Sequence, residues 1–143
     1  MNLYFERAKK EDIEPIYNFC RGIIYKYEDI DSIDLDKVLA WVKKKIENNI
    51  DEYICVFEGR SKAGYYRAHS ENGKTALDDL YIFPQYQRKG IGTRVIEKCC
   101  AEAAEPVFLY VFIRNTDAVK LYKRLGFEIV ETIRDSRYIM QRI

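Results

Sequence analysis

The six residues from Gln87 to Gly92 constrain the fold of this chain more than any other stretch. They read Gln-Arg-Lys-Gly-Ile-Gly and lie between an apolar run that ends at Pro84 and a stretch with helical spacing that begins at Thr93. Glycine tolerates positive φ and close approach to the backbone, so several N–H groups of such a turn can point into one concavity. A helix that starts there adds unpaired N–H donors and the positive end of its dipole. The order strand, basic turn, helix therefore predicts an anion site, with a phosphate or pyrophosphate as its ligand.

The turn matches neither of two common phosphate-binding motifs. A dinucleotide-binding motif needs a third glycine, whereas Gly92 is followed by Thr-Arg-Val, and the chain has no Gly-Lys-Ser/Thr of a P-loop. The competing interpretation is an ordinary glycine turn whose basic side chains, Arg88 and Lys89, are merely solvated. The six residues alone leave both interpretations open.

Composition narrows the class of protein. The chain has 143 residues, 48% of them hydrophobic and 33% charged, which is typical of one globular domain over residues 1–143. A formal net charge of +1 argues against a nucleic-acid partner. No apolar stretch approaches membrane-spanning length and the first residues are not typical of a signal peptide, so no membrane partner is expected. Four cysteines without metal or disulfide spacing and a single histidine predict no metal site and a cytoplasmic protein.

Hydrophobic periodicity and turn residues predict a single α/β domain of the α+β type. Predicted strands cover residues 2–8, 53–57, 63–68, 75–83, 107–113, 127–130 and 138–143, and predicted helices cover the segments from about residue 11, 35–48, 90–104 and between Asn115 and Gly126. Asn72 and Gly73 predict a hairpin turn. The segment 107–113 is apolar throughout, as expected of a strand buried on both faces in a parallel pairing. We expect a mixed, mostly antiparallel, twisted sheet with one central parallel pairing and about four helices.

An acidic segment lies between the first two predicted helices. Asp34 or Asp36 is placed to cap the second helix, because a carboxylate there can accept the first free N–H groups. Capping does not account for Glu28, Asp29 and Asp31. These three are either a solvated loop or one wall of a site for a cationic substrate.

Three stretches together resemble the GNAT superfamily of N-acetyltransferases. The first is the strand 80–84 with the turn 87–92, and the second is 115–127, which reads Asn-Thr-Asp-Ala-Val-Lys-Leu-Tyr-Lys-Arg-Leu-Gly-Phe. The third and weakest is the opening 7–12 with the two helices after it. The two main motifs occur in the family's order, separated by one helix and one strand, and the order of elements is similar from end to end.

The resemblance implies that acetyl-CoA is the co-substrate and that the sheet splays at its central parallel pairing to admit it. Backbone N–H groups of the turn would hold the pyrophosphate, and the strand around Leu80 and Ile82 would pair with pantetheine amides as if with an added strand. An N–H near Ile82 would polarise the acetyl carbonyl. The residues implied in cofactor binding are Leu80, Ile82, Gln87, Arg88, Lys89, Gly90, Ile91, Gly92, Thr93, Asn115 and Arg124.

The implied chemistry is acyl transfer from a thioester to an amine, which requires a proton donor and a proton acceptor. Tyr122 matches the tyrosine of the family motif and would protonate the departing thiolate; without the motif it is an aromatic on a helix core stripe. Many relatives place a glutamate on the strand where this chain has Ala76. Asp78, on the same face, is the nearest substitute as base, with a solvated acid, an ammonium anchor or a water chain as alternatives. Asp79 is expected to point the other way, because strand side chains alternate.

The leading hypothesis is therefore an acetyl-CoA-dependent N-acetyltransferase that acts on a primary amine, either a cationic small molecule or a protein amine. The runner-up is a non-catalytic CoA-binding or acyl-CoA-binding module of the same fold, which the alanine at position 76 favours. A third hypothesis is a phosphate-ligand protein of unrelated fold. An edge strand near the C-terminus would also allow a homodimer.

Overall fold

Seven strands and four α-helices make up the computed structural model, which describes residues 1–142. The strands are β1 Leu3–Arg7, β2 Tyr53–Glu58, β3 Ser61–Glu71, β4 Lys74–Ile82, β5 Val107–Phe112, β6 Glu128–Ile133 and β7 Arg137–Arg142. The helices are α1 Ile13–Tyr27, α2 Leu35–Asn48, α3 Ile91–Glu102 and α4 Thr116–Arg124. The order of elements agrees with the sequence prediction, and Ile143, predicted to end the last strand, lies outside the described residues.

All seven strands form one sheet in the order β1-β2-β3-β4-β5-β7-β6. Every neighbouring pair is antiparallel except β4 and β5, which run parallel. The parallel pairing is short: it joins Thr75 to Val107 and Ala76 to Phe108 and then stops, although both strands continue. The predicted fold class, a mixed and mostly antiparallel sheet with one central parallel pairing, is confirmed.

Helices cover both faces of the sheet. On one face α3 and α4 pack over a core that includes Val56, Val95, Ile96, Leu109 and Met140. On the other, α1 and α2 pack mainly over β2 and β3, in a core that includes Ile16, Ile46, Tyr53, Cys55 and Tyr65. This arrangement buries most of β5 on both sides, as its apolar sequence predicts. The exception is Tyr110, which is 41% exposed.

Local signals place the predicted ends and turns correctly. The side chain of Asp34 accepts the N–H of Lys37 and caps α2, and that of Asn115 accepts the N–H of Ala118 and caps α4. Asn72 and Gly73 both have positive φ in the β3–β4 turn, as a tight hairpin requires. None of the helices in residues 1–142 is both long and apolar enough to cross a membrane.

A β-bulge in β4 changes which way its acidic residues point. Tyr65 pairs with Tyr81 and Arg67 with Asp78, so two steps along β3 face three along β4. Asp79 takes up the extra residue with a φ of 52°. The expectation that Asp79 points away from Asp78 is therefore wrong: the bulge interrupts the alternation, and both carboxylates contact side chains on the face covered by α1 and α2.

Candidate active site

The turn before α3 presents a row of free backbone donors. Arg88 and Gly90 both have positive φ, at 64° and 82°, and α3 begins at Ile91 without a side-chain cap. No acceptor in residues 1–142 takes the N–H groups of residues 88–93; the first bonded amide is that of Arg94, which donates to Gly90 O at 3.1 Å. The exposed side chains of Arg88 and Lys89 add positive charge beside them. This is the arrangement that an anion site at a helix N-terminus requires.

Only one of the two glycines of the turn needs its special backbone conformation. Gly90 lies in the left-handed region, where a Cβ is strained, although the space around it is open. Gly92 does not have positive φ, and a Cβ there would meet Ile82 Cγ1 at an ordinary 3.8 Å. Its small size therefore matters for what approaches the turn rather than for the turn itself.

The gap between β4 and β5 opens beside this turn. Beyond Ala76 and Phe108 the two strands no longer pair, so the edge of β4 that faces β5 has free backbone groups. Leu80 and Ile82 lie on this part of β4, and their side chains pack against the core under α3. Gln87 Nε2 donates to Ile82 O at 2.8 Å and thereby ties the turn to the strand.

Helix α4 brings Tyr122 to the same core. Its ring packs edge-on against Phe127 and, like Leu80 and Ile82, borders the core under α3 and α4. Burial raises the pKa of the Tyr122 phenol to about 12, so the hydroxyl stays protonated at neutral pH. This hydroxyl bonds to no group in residues 1–142. Arg124 is exposed at the end of α4, where the structure describes no ion pair for it.

Asp78 is engaged by two side chains of β3. Its Oδ2 lies 3.0 Å from His69 Nε2 and 3.5 Å from the guanidinium of Arg67. Arg67 is buried and also donates to Glu52 at 2.6 Å. The sequence-predicted base is thus part of a charged cluster on the α1 and α2 face of the sheet.

Asp79 makes a separate set of contacts at the bulge. It accepts the hydroxyl of Tyr53 at 2.6 Å and pairs with Lys45 of α2 at 3.1 Å. Burial, followed by the charge of Asp79, raises the pKa of Tyr53 and also that of the nearby Cys20 thiol, so both groups remain neutral. Within residues 1–142, no group of three or more His, Cys, Asp or Glu side chains is arranged to hold a metal ion.

The three acids after α1 do not act as one group. Glu28 is half-buried and accepts the hydroxyl of Ser136 at 2.9 Å, which ties the end of α1 to the turn between β6 and β7. Asp29 and Asp31 are exposed, and their carboxylates bond to nothing in residues 1–142. Of the three acids predicted to line a site for a cationic substrate, only Asp29 and Asp31 are therefore free to contact a ligand.

Sequence reasoning missed the partners of the two strand acids: His69, Arg67, Lys45 and Tyr53. These residues are up to 34 positions from the acids that they contact. The only signal in the sequence was that His69 is the sole histidine. Its placement beside Asp78 depends on the register of β3 against β4, which no local pattern specifies.

Comparisons with known proteins show which family and which fold the chain resembles. The model of the acetyltransferase (GNAT) family matches residues 10–127. A spermine/spermidine N(1)-acetyltransferase of Bacillus subtilis is 32% identical over 68 residues, which are 44% of this chain and 45% of that protein. A thialysine N-epsilon-acetyltransferase of Mus musculus is 43% identical over 54 residues, 35% of this chain and 32% of that protein. The match therefore spans less than half the length of these relatives.

A solved structure extends the likeness to the whole fold. The PaiA N-acetyltransferase of Thermoplasma acidophilum, crystallised in complex with coenzyme A, superposes with a TM-score of 0.70 over 99% of each chain. The two sequences are 20% identical, so the likeness is one of fold.

Proposed function

Since the chain belongs to the acetyltransferase (GNAT) family, we propose that it transfers an acetyl group from acetyl-CoA to a primary amine. The observation that carries this proposal is the row of free N–H groups at residues 88–93, which lies at the Ile82 end of the gap that opens between β4 and β5 beyond Ala76. A pyrophosphate on the turn and a pantetheine arm in the gap would satisfy donors and strand edges that the protein itself leaves unpaired. We place the reaction in the cytoplasm.

Acetyl-CoA would contact three elements. The turn supplies N–H groups from Arg88, Lys89, Gly90, Ile91, Gly92 and Thr93, while Gln87 holds the turn against β4. Backbone groups of β4 at Leu80 and Ile82 would pair with the pantetheine amides, and one N–H there would polarise the acetyl carbonyl. Asn115, whose Oδ1 is used in capping α4, retains an amide N–H₂ for the pantetheine arm, and Arg124 is free for the ribose phosphate.

Tyr122 is the proposed proton donor to the thiolate. The pKa of about 12 favours its protonated form, and its hydroxyl has no protein partner in residues 1–142 that would compete for the proton. When the tetrahedral intermediate collapses and the C–S bond breaks, sulfur would take this proton. Tyr122 would regain it from the nitrogen of the newly formed amide.

The acceptor amine is proposed to lose its proton at Asp78. An alkylammonium has a pKa near 10.4 and must lose a proton before its nitrogen can attack. Asp78 lies one residue before the bulge, on the face of β4 opposite the core of α3, where an amine could approach the gap from the side of α1 and α2. A water chain that leads to the same carboxylate is the alternative.

The acceptor is proposed to be cationic, either a small polyamine-like molecule or a protein amine. Asp29 and Asp31 are exposed and unpaired within the described residues, so they can attract positive charge before contact. The match to a protein named as a spermine/spermidine acetyltransferase points the same way. Glu28 is better assigned to holding α1 against Ser136, and it would shape the acceptor side rather than bind the amine.

Two further proposals concern partners and the rival activity. Strand β6 ends the sheet and exposes Ile129 and Val130, so a homodimer would form along this edge. A non-catalytic CoA-binding module is the second candidate function, because Ala76 leaves the position of the usual glutamate without a carboxylate.

The test offers the protein acetyl-CoA with primary amines of similar size that carry one, two or three positive charges, a neutral amine and an amino acid. Mass spectrometry measures the acetylated products, and kcat/KM is compared at two salt concentrations. We expect turnover that increases with positive charge and falls with salt, since salt screens exposed acids over a Debye length of about 8 Å at physiological ionic strength.

The matched variants are Asp29→Asn with Asp31→Asn, and Asp34→Asn as a control at a capping position that asparagine also fills. The double variant should raise KM for the best amine and flatten the salt dependence, whereas the control should do neither. Binding of acetyl-CoA without any acetylated product would favour the non-catalytic module. An anionic or neutral preferred acceptor would contradict the cationic assignment alone.

A further inference from the structure

The only histidine of the chain contacts the carboxylate at the proposed site of proton removal. His69 lies on β3 opposite Ala76, and its Nε2 is 3.0 Å from Asp78 Oδ2. An ionised carboxylate only accepts hydrogen bonds, so Nε2–H is the donor and the lone pair of a neutral imidazole is on Nδ1. Nδ1 bonds to no group in residues 1–142 and is not one of their buried polar atoms without a partner. It is therefore accessible to water or to a substrate.

The imidazole lies on the strand next to β4, level with the point where β4 and β5 separate. Ala76 and Phe108 form the last parallel pair before β4 and β5 separate, and His69 is the cross-strand neighbour of Ala76. Asp78, to which it is bonded, comes just before the bulge. Ala76 has no side chain that could accept a proton. The neighbouring strand β3 supplies an imidazole beside it.

The charges around the imidazole come from several elements. Arg67 of β3 shares the carboxylate of Asp78 and is itself paired with Glu52, which precedes β2. Burial of Tyr110 on β5 raises the pKa of its phenol, and the charges of Glu71 on β3 and of Asp78 act in the same direction, against that of Arg137. Arg137 of β7 stacks on Tyr110. The carboxylate that contacts the imidazole therefore has both signs of charge near it.

We propose that His69, oriented by Asp78, is the general base that takes the proton from the acceptor ammonium, directly or through one water. This inference rests on the proposed acetyl transfer. Free imidazole titrates near pH 6.5 and free aspartate near 3.9, so imidazole is the better match to an amine at neutral pH. Asp78 then has the role of a positioning residue, because it fixes the tautomer and stabilises the imidazolium.

The ammonium transfers one proton to Nδ1, and its freed lone pair attacks the thioester carbon to form a C–N bond. Collapse breaks the C–S bond, the thiolate takes the proton of Tyr122, and the amide nitrogen returns a proton to Tyr122. The imidazolium releases its proton to solvent, so one proton leaves for each acetyl group transferred.

The kinetic test compares the pH dependence of kcat/KM for the wild type, His69→Gln and Ser70→Ala. Ser70 is the next residue on β3 and bonds instead to Glu105, so its variant is a control. We expect His69→Gln to lose about 10²-fold in kcat/KM at neutral pH and to lose the acidic limb of the profile, with acetyl-CoA affinity unchanged. Added imidazole should partly restore His69→Ala.

Two outcomes separate this inference from the proposed function. If the wild type transfers acetyl groups and His69→Gln keeps both its rate and its acidic limb, His69 is not the base and the transferase stands. If the wild type transfers no acetyl groups, both the proposed function and the role of His69 as base are contradicted.

The tautomer of His69, which its contact with Asp78 should fix, can be measured by spectroscopy without any turnover. Because the chain has one histidine, its ¹⁵N spectrum contains a single imidazole. We expect the Nε2–H tautomer in the wild type and a mixture of tautomers in Asp78→Asn. The same mixture in both proteins would overturn the positioning role of Asp78, and a wild type with the proton on Nδ1 would overturn the assignment of the base.

Discussion

Tyr122 has two separable parts: its ring packs in the core, and its hydroxyl is the proposed proton donor. The ring packs against Phe127, and phenylalanine would preserve this contact while it removes the proton donor. The pKa of about 12 means that the phenol is protonated over the whole neutral range, so a missing donor and not a changed charge would explain any loss. Kinetic measurements on a variant that keeps the ring distinguish the two roles.

Tyr122→Phe is predicted to lower kcat by about 10²-fold with little change in the dissociation constant for acetyl-CoA, because only the transition state needs the proton. The control is Tyr4→Phe, an exposed tyrosine on β1. Steady-state rates, with chemistry shown to be rate-limiting, provide the comparison. An unchanged kcat would leave Tyr122 as a core residue only.

Among the contacts between elements, a buried carboxylate joins the start of α1 to β3. Asp12 is 3% exposed; it accepts Lys62 Nζ at 2.7 Å and the hydroxyl of Tyr65 at 3.1 Å. Burial acts to raise the pKa of Asp12, but the hydrogen bonds from Lys62 and the N–H of Lys9 outweigh it, and the pKa lies below the ordinary 3.8. A lowered pKa in the folded protein means that the ionised carboxylate stabilises the fold above the unfolded pKa.

Asp12→Asn should therefore lower the free energy of unfolding at neutral pH by about 2 kcal/mol, since a charge-assisted hydrogen bond is lost and Lys62 is left without its partner. Its difference from the wild type should shrink as the pH falls through the folded-state pKa of Asp12, because protonation removes the same charge from the wild type. Urea unfolding over a pH series measures both effects, with Asp34→Asn as the exposed control. A difference that did not change with pH would contradict the electrostatic explanation.

At the scale of the whole molecule, patterns that are local in sequence predicted the helices, strands and turns. They did not predict the contacts between residues that are far apart in sequence. Helix periodicity, the caps at Asp34 and Asn115 and the Asn72-Gly73 turn are specified within a few residues, and all are present. The parallel pairing of β5 also followed from the apolar segment at 107–113, whereas the separation of β4 from β5 was implied by the family resemblance.

The bulge at Asp79 and the contacts of the two strand acids depend on register between strands, which one extra residue changes. The bond between Glu28 and Ser136 joins positions 108 residues apart and could not be anticipated from the acidic segment alone. These contacts between distant residues are the part of the candidate site that patterns local in sequence do not specify.

The most direct test of the central claim, that the turn before α3 holds acetyl-CoA, is calorimetric titration of acetyl-CoA into the wild type, Gly90→Val and Gly73→Val. Gly73 is an equally open glycine with positive φ in the β3–β4 turn, so its variant controls for backbone strain away from the site. We predict one acetyl-CoA bound per chain in the wild type and in Gly73→Val, and no measurable binding in a folded Gly90→Val protein, because valine is strongly disfavoured at a φ of 82° and the donors at residues 88–93 would no longer converge. Binding of acetyl-CoA to folded Gly90→Val with wild-type affinity would contradict the claim.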